Sequence, residues 1–231
     1  MTARAASVAL ASNADTYQLL GRLRARGVER LPDTALDHSW LAAPAPRSGD
    51  CQRIIWAGRL ESHKGPLLAL DAFARVQRGR DVRLVVAGEG PMLAACQKRA
   101  ARLGIEDRVE FLGQVPRLQL RHELLNSDVL LFTSLRDSYP PILIEAMGVG
   151  LPIVALDHQS TRELPATVVV KVPVTRPRQT RRDCAAAVAG LLDSPARRAE
   201  LSVAGRADAE AHHLWALRLD AVEKIYQDLV L

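Results

Sequence analysis

Two cations, Arg59 and Lys64, lie in one short glycine-bounded loop, residues 58–65. A guanidinium can form two parallel hydrogen bonds with phosphate oxygens, whereas an ammonium acts as a point charge. Gly58 allows a ligand to approach the backbone closely, and the helix predicted to begin at Pro66 offers an N-terminus that favours anions. The loop therefore predicts a phosphate-binding turn. A plain turn with two solvated cations would have the same sequence, so both interpretations stay open here.

Two carboxylates, Asp137 and Glu145, lie eight residues apart in the segment 134–147. The helix of this segment is predicted to begin at Pro141, so Asp137 precedes it and Glu145 lies inside it. Two such groups could accept hydrogen bonds from hydroxyls at separate points of one extended ligand. The structural alternative is a helix-capping aspartate and an ordinary helical glutamate.

A third loop, Gly88–Pro91, also follows a predicted strand and precedes a helix. It contains a Gly-x-Gly pair, but the third glycine of the dinucleotide fingerprint is replaced by Leu93. No acidic residue follows at the distance that the fingerprint requires. Hydride transfer with a nicotinamide cofactor is therefore disfavoured.

Alternating strands and helices are predicted to position these loops. The strands are predicted at residues 53–57, 82–87, 109–112, 129–132 and 153–156, and the intervening helices at 66–78, 91–103, 118–125 and 141–147. This alternation predicts an α/β fold, a doubly wound parallel sheet with helices on both faces. In such sheets ligands bind at the carboxyl ends of the strands, where all three loops would lie.

The two ends of the chain differ from this regular middle. A strand, a helix and a strand are predicted at 7–11, 13–26 and 28–31, followed by a proline-rich linker at 32–50. The domain at 51–231 ends in a helical tail, predicted at 180–192, 195–211 and 215–229.

Composition excludes several other classes of protein. The apolar runs are far shorter than the ~20 residues that cross a bilayer, and the start of the chain lacks a signal-peptide pattern. The net charge is +5, but the basic residues are dispersed and aromatics make up only 4%, so no nucleic-acid partner is expected. The three cysteines have no metal-ligand spacing. We expect a cytoplasmic protein without a metal site, with peripheral contact at the inner membrane face left open.

Four segments occur together in an order that is typical of a known family. They read GRLESHKG, VVAGEGP, VEFLGQV and SLRDSYPPILIEAMGVGLPIVALD. From about residue 54 to 173 the chain resembles the C-terminal, Rossmann-like domain of GT-B fold retaining glycosyltransferases of family 4 (glycosyl transferases group 1). The final segment is the most specific, because it matches the family's Glu-x7-Glu element.

The resemblance implies a binding site for a nucleotide-diphosphate sugar and no cofactor or metal. Arg59 and Lys64 would hold the diphosphate and stabilise the leaving nucleotide, which makes them the catalytic groups. Glu145 would accept hydrogen bonds from the ribose, and Asp137 would contact the sugar. The complete set of expected donor-binding residues is Gly58, Arg59, Lys64, Gln114, Val115, Asp137, Ser138, Tyr139 and Glu145. Of these, Gln114 and Val115 match the segment beside the base.

Three departures from the family pattern are expected to retune or weaken donor binding. Asp137 is one methylene shorter than the family's glutamate. Pro140 and Pro141 have no backbone N–H to donate at the start of the helix. The glycine-rich turn expected after Leu156 is replaced by residues 157–160, which read DHQS.

The resemblance implies transfer of a sugar to an unidentified acceptor with retention of configuration. Residues 1–31 match only the end of the family's acceptor-binding domain, with 32–50 as linker and 51–231 as the donor-binding domain. We expect the chain alone to bind nucleotide weakly and to transfer little, needing a missing N-terminal domain or a separate acceptor subunit. The alternative is a non-catalytic nucleotide-sugar-binding subunit that completes its cleft with another protein. A nucleotide-sugar epimerase is disfavoured because its acid–base carboxylates have no match.

Overall fold

A six-stranded parallel sheet with helices on both faces forms most of the protein, in a computed structural model that describes residues 6–41 and 51–230. In chain order the strands are β1 (Ala9–Ala11), β2 (Val28–Arg30), β3 (Gln52–Ala57), β4 (Val82–Ala87), β5 (Val109–Gly113), β6 (Val129–Phe132), β7 (Ile153–Leu156) and β8 (Val169–Val172). The α-helices are α1 (Ala14–Arg22), α2 (Pro66–Val76), α3 (Leu93–Leu103), α4 (Arg117–Leu125), α5 (Pro141–Gly148), α6 (Ser160–Glu163), α7 (Pro177–Asp193), α8 (Pro195–His212) and α9 (Trp215–Val230).

The strand order of the main sheet is β5-β4-β3-β6-β7-β8, and each neighbouring pair is parallel. From β3 the chain adds β4 and β5 on one side and then crosses to add β6, β7 and β8 on the other. The order therefore reverses between β3 and β6, which opens a crevice at the carboxyl ends of these strands. The predicted doubly wound α/β fold is confirmed.

The core is divided by the sheet into two apolar layers. Along β3, Ile54 and Trp56 face one layer while Ile55 and Ala57 face the other, as the two-residue period of a strand requires. Helices α2 and α7 cover the first layer, and α5 and α8 contribute to the second. Because both faces are covered, the strands read as nearly continuous apolar runs, and all four residues of β6 are buried.

Two elements of the structure were absent from the sequence prediction. The edge strand β8 and the one-turn helix α6 both lie in the region between 157 and 176, where no regular element was predicted. Helix α7 begins at Pro177 and not at 180, with proline at its first position. At the N-terminus, α1 ends at Arg22, before the predicted residue 26, while Asn13 caps it by accepting a hydrogen bond from the Thr16 amide.

Part of the predicted linker lies in the core. Leu36 and Trp40 are buried against α5 and α8, and the backbone of Leu36 pairs with the chain at the α8–α9 junction. Burial of these two large apolar side chains attaches residues 36–41 to the domain. Residues 42–50 of the predicted linker lie outside the described residues.

The carboxyl ends of β3 and β4 touch at two glycines. Gly88 adopts φ +134°, and a Cβ placed on it would lie 2.0 Å from the carbonyl oxygen of Gly58. The Gly88 amide also donates to the Gly113 carbonyl at 2.7 Å. Only glycine permits this approach, because the clashing atom belongs to the backbone and cannot rotate away.

The loop between β6 and α5 is tied to the helical tail by a chain of hydrogen bonds. The Tyr139 hydroxyl lies 2.6 Å from Nδ1 of His213, and Nε2 of His213 lies 3.0 Å from Asp208. Arg218 donates to the Tyr139 hydroxyl at 3.4 Å. The tail therefore helps to position residues 134–140 from behind.

We expect Gly88→Ala to lower the free energy of unfolding by about 2–4 kcal/mol, because the loops must separate or strain to admit the new Cβ. Gly190→Ala is the matched control. Gly190 is exposed in α7 with nothing within 4 Å of an added Cβ, so this change should stabilise by up to about 1 kcal/mol. Urea denaturation measures both variants. A Gly88→Ala protein as stable as the wild type would contradict the close contact.

We expect acid to destabilise the wild type more steeply than Asp208→Asn. The hydrogen bond from His213 holds the pKa of Asp208 below its usual range. A carboxyl with a lowered pKa stabilises the folded state above its unfolded pKa, and this contribution is lost as the pH falls. Urea denaturation between about pH 5 and pH 3 should therefore show a smaller slope for Asp208→Asn, with exposed Asp107→Asn behaving like the wild type. Equal slopes for all three would rule out this contribution.

Candidate functional site

A cavity of about 580 Å³ opens at the switch point of the sheet. Its walls are the loops that leave the carboxyl ends of β3, β4, β5 and β6, together with the first turns of α5. Seven of the residues predicted from the sequence line it: Gly58, Arg59, Lys64, Gln114, Val115, Asp137 and Glu145. The fold therefore brings together residues up to 87 positions apart in sequence, from Gly58 to Glu145.

The two cations occupy different depths of this cavity. The Arg59 side chain is 75% exposed at the rim and is ion-paired with Glu61. The Lys64 ammonium lies deeper, 2.6 Å from Oδ1 of Asp137, with both side chains mostly buried. An exposed arginine can reorient at little cost, whereas the buried lysine is already held in place. Arg59 can thus contact a bound anion from the rim of the cavity, and Lys64 can contact it from deeper inside.

The loop that carries the cations is fastened to the end of β6. The Thr133 hydroxyl accepts a hydrogen bond from the Trp56 indole at 2.9 Å and lies within 3.0 Å of the carbonyl oxygens of Lys64 and Gly65. Gly65 has φ +67°, and a Cβ there would lie 2.5 Å from the Thr133 carbonyl. Thr133 and Trp56 were not predicted from the sequence, because nothing in the local pattern marks two buried residues that lie 77 positions apart.

Glu145 projects into the cavity from the first turns of α5. Its side chain is only 8% exposed, and burial raises the pKa of the carboxyl while the nearby Arg117 opposes this rise. The Arg117 Nε lies 3.3 Å from the carboxylate, and its guanidinium lies over the Trp40 ring, 5.1 Å from the centroid. A largely buried carboxylate beside one screened cation is a strong hydrogen-bond acceptor for ligand hydroxyls.

Arg117 and Trp40 were not predicted as part of the site. Arg117 begins α4, only three residues after the predicted Gln114, so its position beside the base-binding segment was a usable signal. Trp40 had no such signal, since it lies in the segment interpreted as linker. The side chains of Gln114, Val115, Leu120 and Phe132 give this end of the cavity a mainly apolar wall.

Asp137 is the second predicted carboxylate that lines the cavity. Its Oδ1 meets Lys64, while its Oδ2 is buried and has no hydrogen-bond partner among the described residues. The main-chain amide of Asp137 donates to Oε1 of Gln159 at 2.9 Å. One oxygen of this carboxylate therefore remains as a buried acceptor beside the cation pair.

Two predicted donor-binding residues, Ser138 and Tyr139, lie away from this cavity. The chain turns after Asp137, so that both line a second cavity of about 770 Å³ next to His213 and Arg218. Burial raises the pKa of the Tyr139 hydroxyl. Spacing along the sequence could not show that the chain turns away from the first cavity at residues 138–139. Within the described ranges, neighbouring residues of the segment 134–140 therefore line two different cavities.

Residues 6–41 and 51–230 contain neither a metal-binding cluster nor a bilayer-spanning helix. Within these ranges, no group of three or more His, Cys, Asp or Glu residues is arranged to hold a metal ion. None of the helices within the same ranges has the length and apolarity required to span a bilayer.

Comparison with curated proteins gives several glycosyltransferases. The chain is 28% identical over 134 residues to the gpi3 subunit of phosphatidylinositol N-acetylglucosaminyltransferase from Schizosaccharomyces pombe, covering 58% of this chain and 29% of that protein. It is 25% identical over 180 residues to the alpha-D-kanosaminyltransferase of Streptomyces kanamyceticus, covering 76% of this chain and 45% of that enzyme. The matches thus span less than half the length of these two relatives.

Solved structures share the fold at low sequence identity. Anabaena HepE in complex with UDP superposes with a TM-score of 0.81 at 17% identity, over 96% of this chain and 64% of that one. Sucrose-phosphate synthase from Thermosynechococcus elongatus gives a TM-score of 0.82 at 20% identity, over 99% of this chain and 59% of that one. At these identities the superpositions establish the GT-B, Rossmann-like fold and nothing about substrate.

The family model for glycosyl transferases group 1 matches residues 43–208, a range that contains the complete cavity at the switch point. It also spans the four segments on which the resemblance was recognised. The sequence motifs, the fold and the family model agree, and the chain belongs to the glycosyl transferases group 1 family.

Proposed function

We propose that the chain forms the donor-binding half of a retaining glycosyltransferase that uses a nucleoside-diphosphate sugar. The observation that carries this proposal is the arrangement of charges along one cavity. Cations Arg59 and Lys64 and carboxylates Asp137 and Glu145 line the same cavity, with Lys64 against Asp137 and Glu145 near Arg117. A nucleoside-diphosphate sugar has complementary groups, with hydroxyl-bearing rings on both sides of an anionic diphosphate.

The donor would bind along the cavity in one direction. The ribose hydroxyls donate to the buried Glu145, and the base lies on the apolar wall near Val115. The diphosphate lies against Lys64 and the N-terminus of α2, with Arg59 closing from the rim. The sugar then lies beside Asp137. Family membership and the UDP present in the HepE complex support a nucleotide donor.

The residues of this cavity would act on the leaving group. As the bond between the anomeric carbon and the diphosphate breaks, its electron pair passes to the diphosphate oxygen. The acceptor oxygen forms the new bond on the same face, and its proton is taken up by the departing diphosphate. Arg59 and Lys64 stabilise the negative charge that develops there, with no metal required. The acceptor and its binding residues belong to the other half of the cleft.

A second candidate is a nucleotide-sugar-binding subunit that works only in complex with an acceptor-binding protein. It is favoured by one observation, that several relatives are themselves named as subunits of phosphatidylinositol N-acetylglucosaminyltransferase. Both candidates use the same cavity. They differ in whether transfer activity requires an acceptor-binding domain in the same polypeptide or on a separate one.

We expect the chain to bind one of UDP, GDP and ADP saturably in isothermal titration. Arg59→Ala and Glu145→Ala should each weaken this binding by about 10- to 100-fold, since hydrogen bonds to charged groups are worth roughly 1.5–3 kcal/mol. Arg182→Ala and Glu210→Ala are the matched controls, because they make the same changes of charge at exposed positions in α7 and α8. Absence of binding by the folded wild type would contradict the proposed function, as would equal losses in the controls.

We expect nucleotide affinity to fall with falling pH, and to begin falling at a higher pH in Arg117→Ala. Ribose binding uses the ionised form of Glu145, and protonation removes an acceptor. Burial already raises the pKa of Glu145, and Arg117 is the group that lowers it, so losing Arg117 raises it further. Titrations at about pH 7.5, 6.5 and 5.5 measure the effect. Arg121→Ala, on the same helix but bonded to the Ser39 carbonyl, should match the wild type. A pH profile unchanged in Arg117→Ala would refute this coupling.

A further inference from the structure

Gln159 adopts a backbone conformation that side chains rarely tolerate. It lies in the turn between β7 and α6 with φ +46° and ψ −120°. Glycine adopts this region freely, whereas a residue with a Cβ is strained there. The family resemblance implied a glycine-rich turn at this place, so a glutamine stands where the backbone itself favours glycine.

The surrounding turn is held firmly in this conformation. Thr161, which is buried, accepts a hydrogen bond from the His158 amide at 2.9 Å through its hydroxyl, and that hydroxyl also bonds to the Leu156 carbonyl. Strained residues persist only where their environment fixes them in this way. The turn therefore presents the side chain of Gln159 in one direction.

That side chain reaches the neighbouring loop. Oε1 of Gln159 accepts a hydrogen bond from the main-chain amide of Asp137 at 2.9 Å, across 22 residues of sequence. The loops after β6 and β7 are thereby joined at their tips. A glycine at position 159 would relieve the backbone strain but could not form this hydrogen bond. The hydrogen bond therefore requires a strained residue at this position.

This hydrogen bond acts on Asp137, a carboxylate that lines the cavity. Lys64 holds Oδ1 of Asp137 at 2.6 Å, and Oδ2 is buried with no partner among the described residues. With the main chain fixed by Gln159 and one oxygen fixed by Lys64, the orientation of the second oxygen is also determined. An acceptor held in this way discriminates strongly between ligands that donate to it and ligands that do not.

We propose that Gln159 is a positioning residue that sets selectivity for the sugar of the donor. It fixes Asp137 so that its carboxylate accepts a hydrogen bond from a hydroxyl or amino group of the sugar. Asp137 is the residue that contacts the ligand, and Gln159 acts through it. This inference rests on the proposed function, because it assumes a nucleotide sugar in the cavity. Its consequence is that Gln159 affects the affinity for nucleotide sugars and leaves the affinity for nucleoside diphosphates unchanged.

The test is isothermal titration of Gln159→Leu, Gln159→Glu and Gln159→Gly with UDP and with UDP-glucose, or with the GDP or ADP pair if the wild type binds that base. Leucine removes the acceptor at similar size, and we expect roughly tenfold weaker binding of the sugar nucleotide with unchanged binding of the diphosphate. Glutamate keeps an acceptor oxygen and should retain most of the selectivity. Glycine should lose it while melting at or above the wild-type temperature, which separates positioning from stability.

A double mutant shows whether the effect passes through Asp137. Adding Gln159→Leu to Asp137→Asn should change the affinity for the sugar nucleotide little further, because the oriented carboxylate is already lost. Additive losses would overturn the proposal, as would a parallel loss of affinity for both ligands in Gln159→Leu or no loss for either. If the wild type binds none of the three diphosphates, the proposed function fails, and this inference fails with it. Normal diphosphate binding with unaltered selectivity refutes the inference alone.

Discussion

The reversal of strand order between β3 and β6 is the constraint on which the site depends. Parallel strands all end at the same edge of the sheet, and on either side of the reversal the connecting helices lie on opposite faces. The loops that follow β3 and β6 therefore diverge and leave a crevice between them. Lys64 comes from one of these loops and Asp137 from the other, and their 2.6 Å contact bridges the crevice. A sheet with a different strand order would separate these two residues.

Collecting charges in this crevice has a physical cost that the surroundings offset. Glu145 is nearly buried, and Arg117 compensates only in part, because its guanidinium is 55% exposed and its charge is screened by solvent. Asp137 is better neutralised by Lys64 but keeps one oxygen without a partner among the residues that the structure describes. The fold tolerates these groups because strands with apolar residues on both faces support the loops from below. At Asp137 the unsatisfied acceptor belongs to a residue that lines the cavity, where a ligand with a donor group would complete it.

The ends of the chain support the same loops from outside the sheet. Glu163 in α6 accepts a hydrogen bond from the Ala14 amide at 2.7 Å and is ion-paired with Arg30, which attaches the β1–α1–β2 unit. Asn13 donates to the Ser138 carbonyl at 3.2 Å. The tail reaches the neighbouring Tyr139 through His213. Asp137 thus lines the crevice, while Ser138 and Tyr139 are hydrogen-bonded to residues from the two ends of the described chain. This explains why adjacent residues there line different cavities.

The sequence alone determined the fold class and most strands of the main sheet. Of the nine site residues expected from the sequence, seven line the cavity. These follow from local rules, because apolar periodicity specifies strands and helices, and the loops of a parallel sheet gather at one edge. Tertiary structure decided what depends on distant contacts. It placed Trp40 of the supposed linker over Arg117, turned Ser138 and Tyr139 away from the cavity, and bonded Gln159 to Asp137. Such contacts join residues whose separation along the chain carries no periodic signal, so only the folded chain defines them.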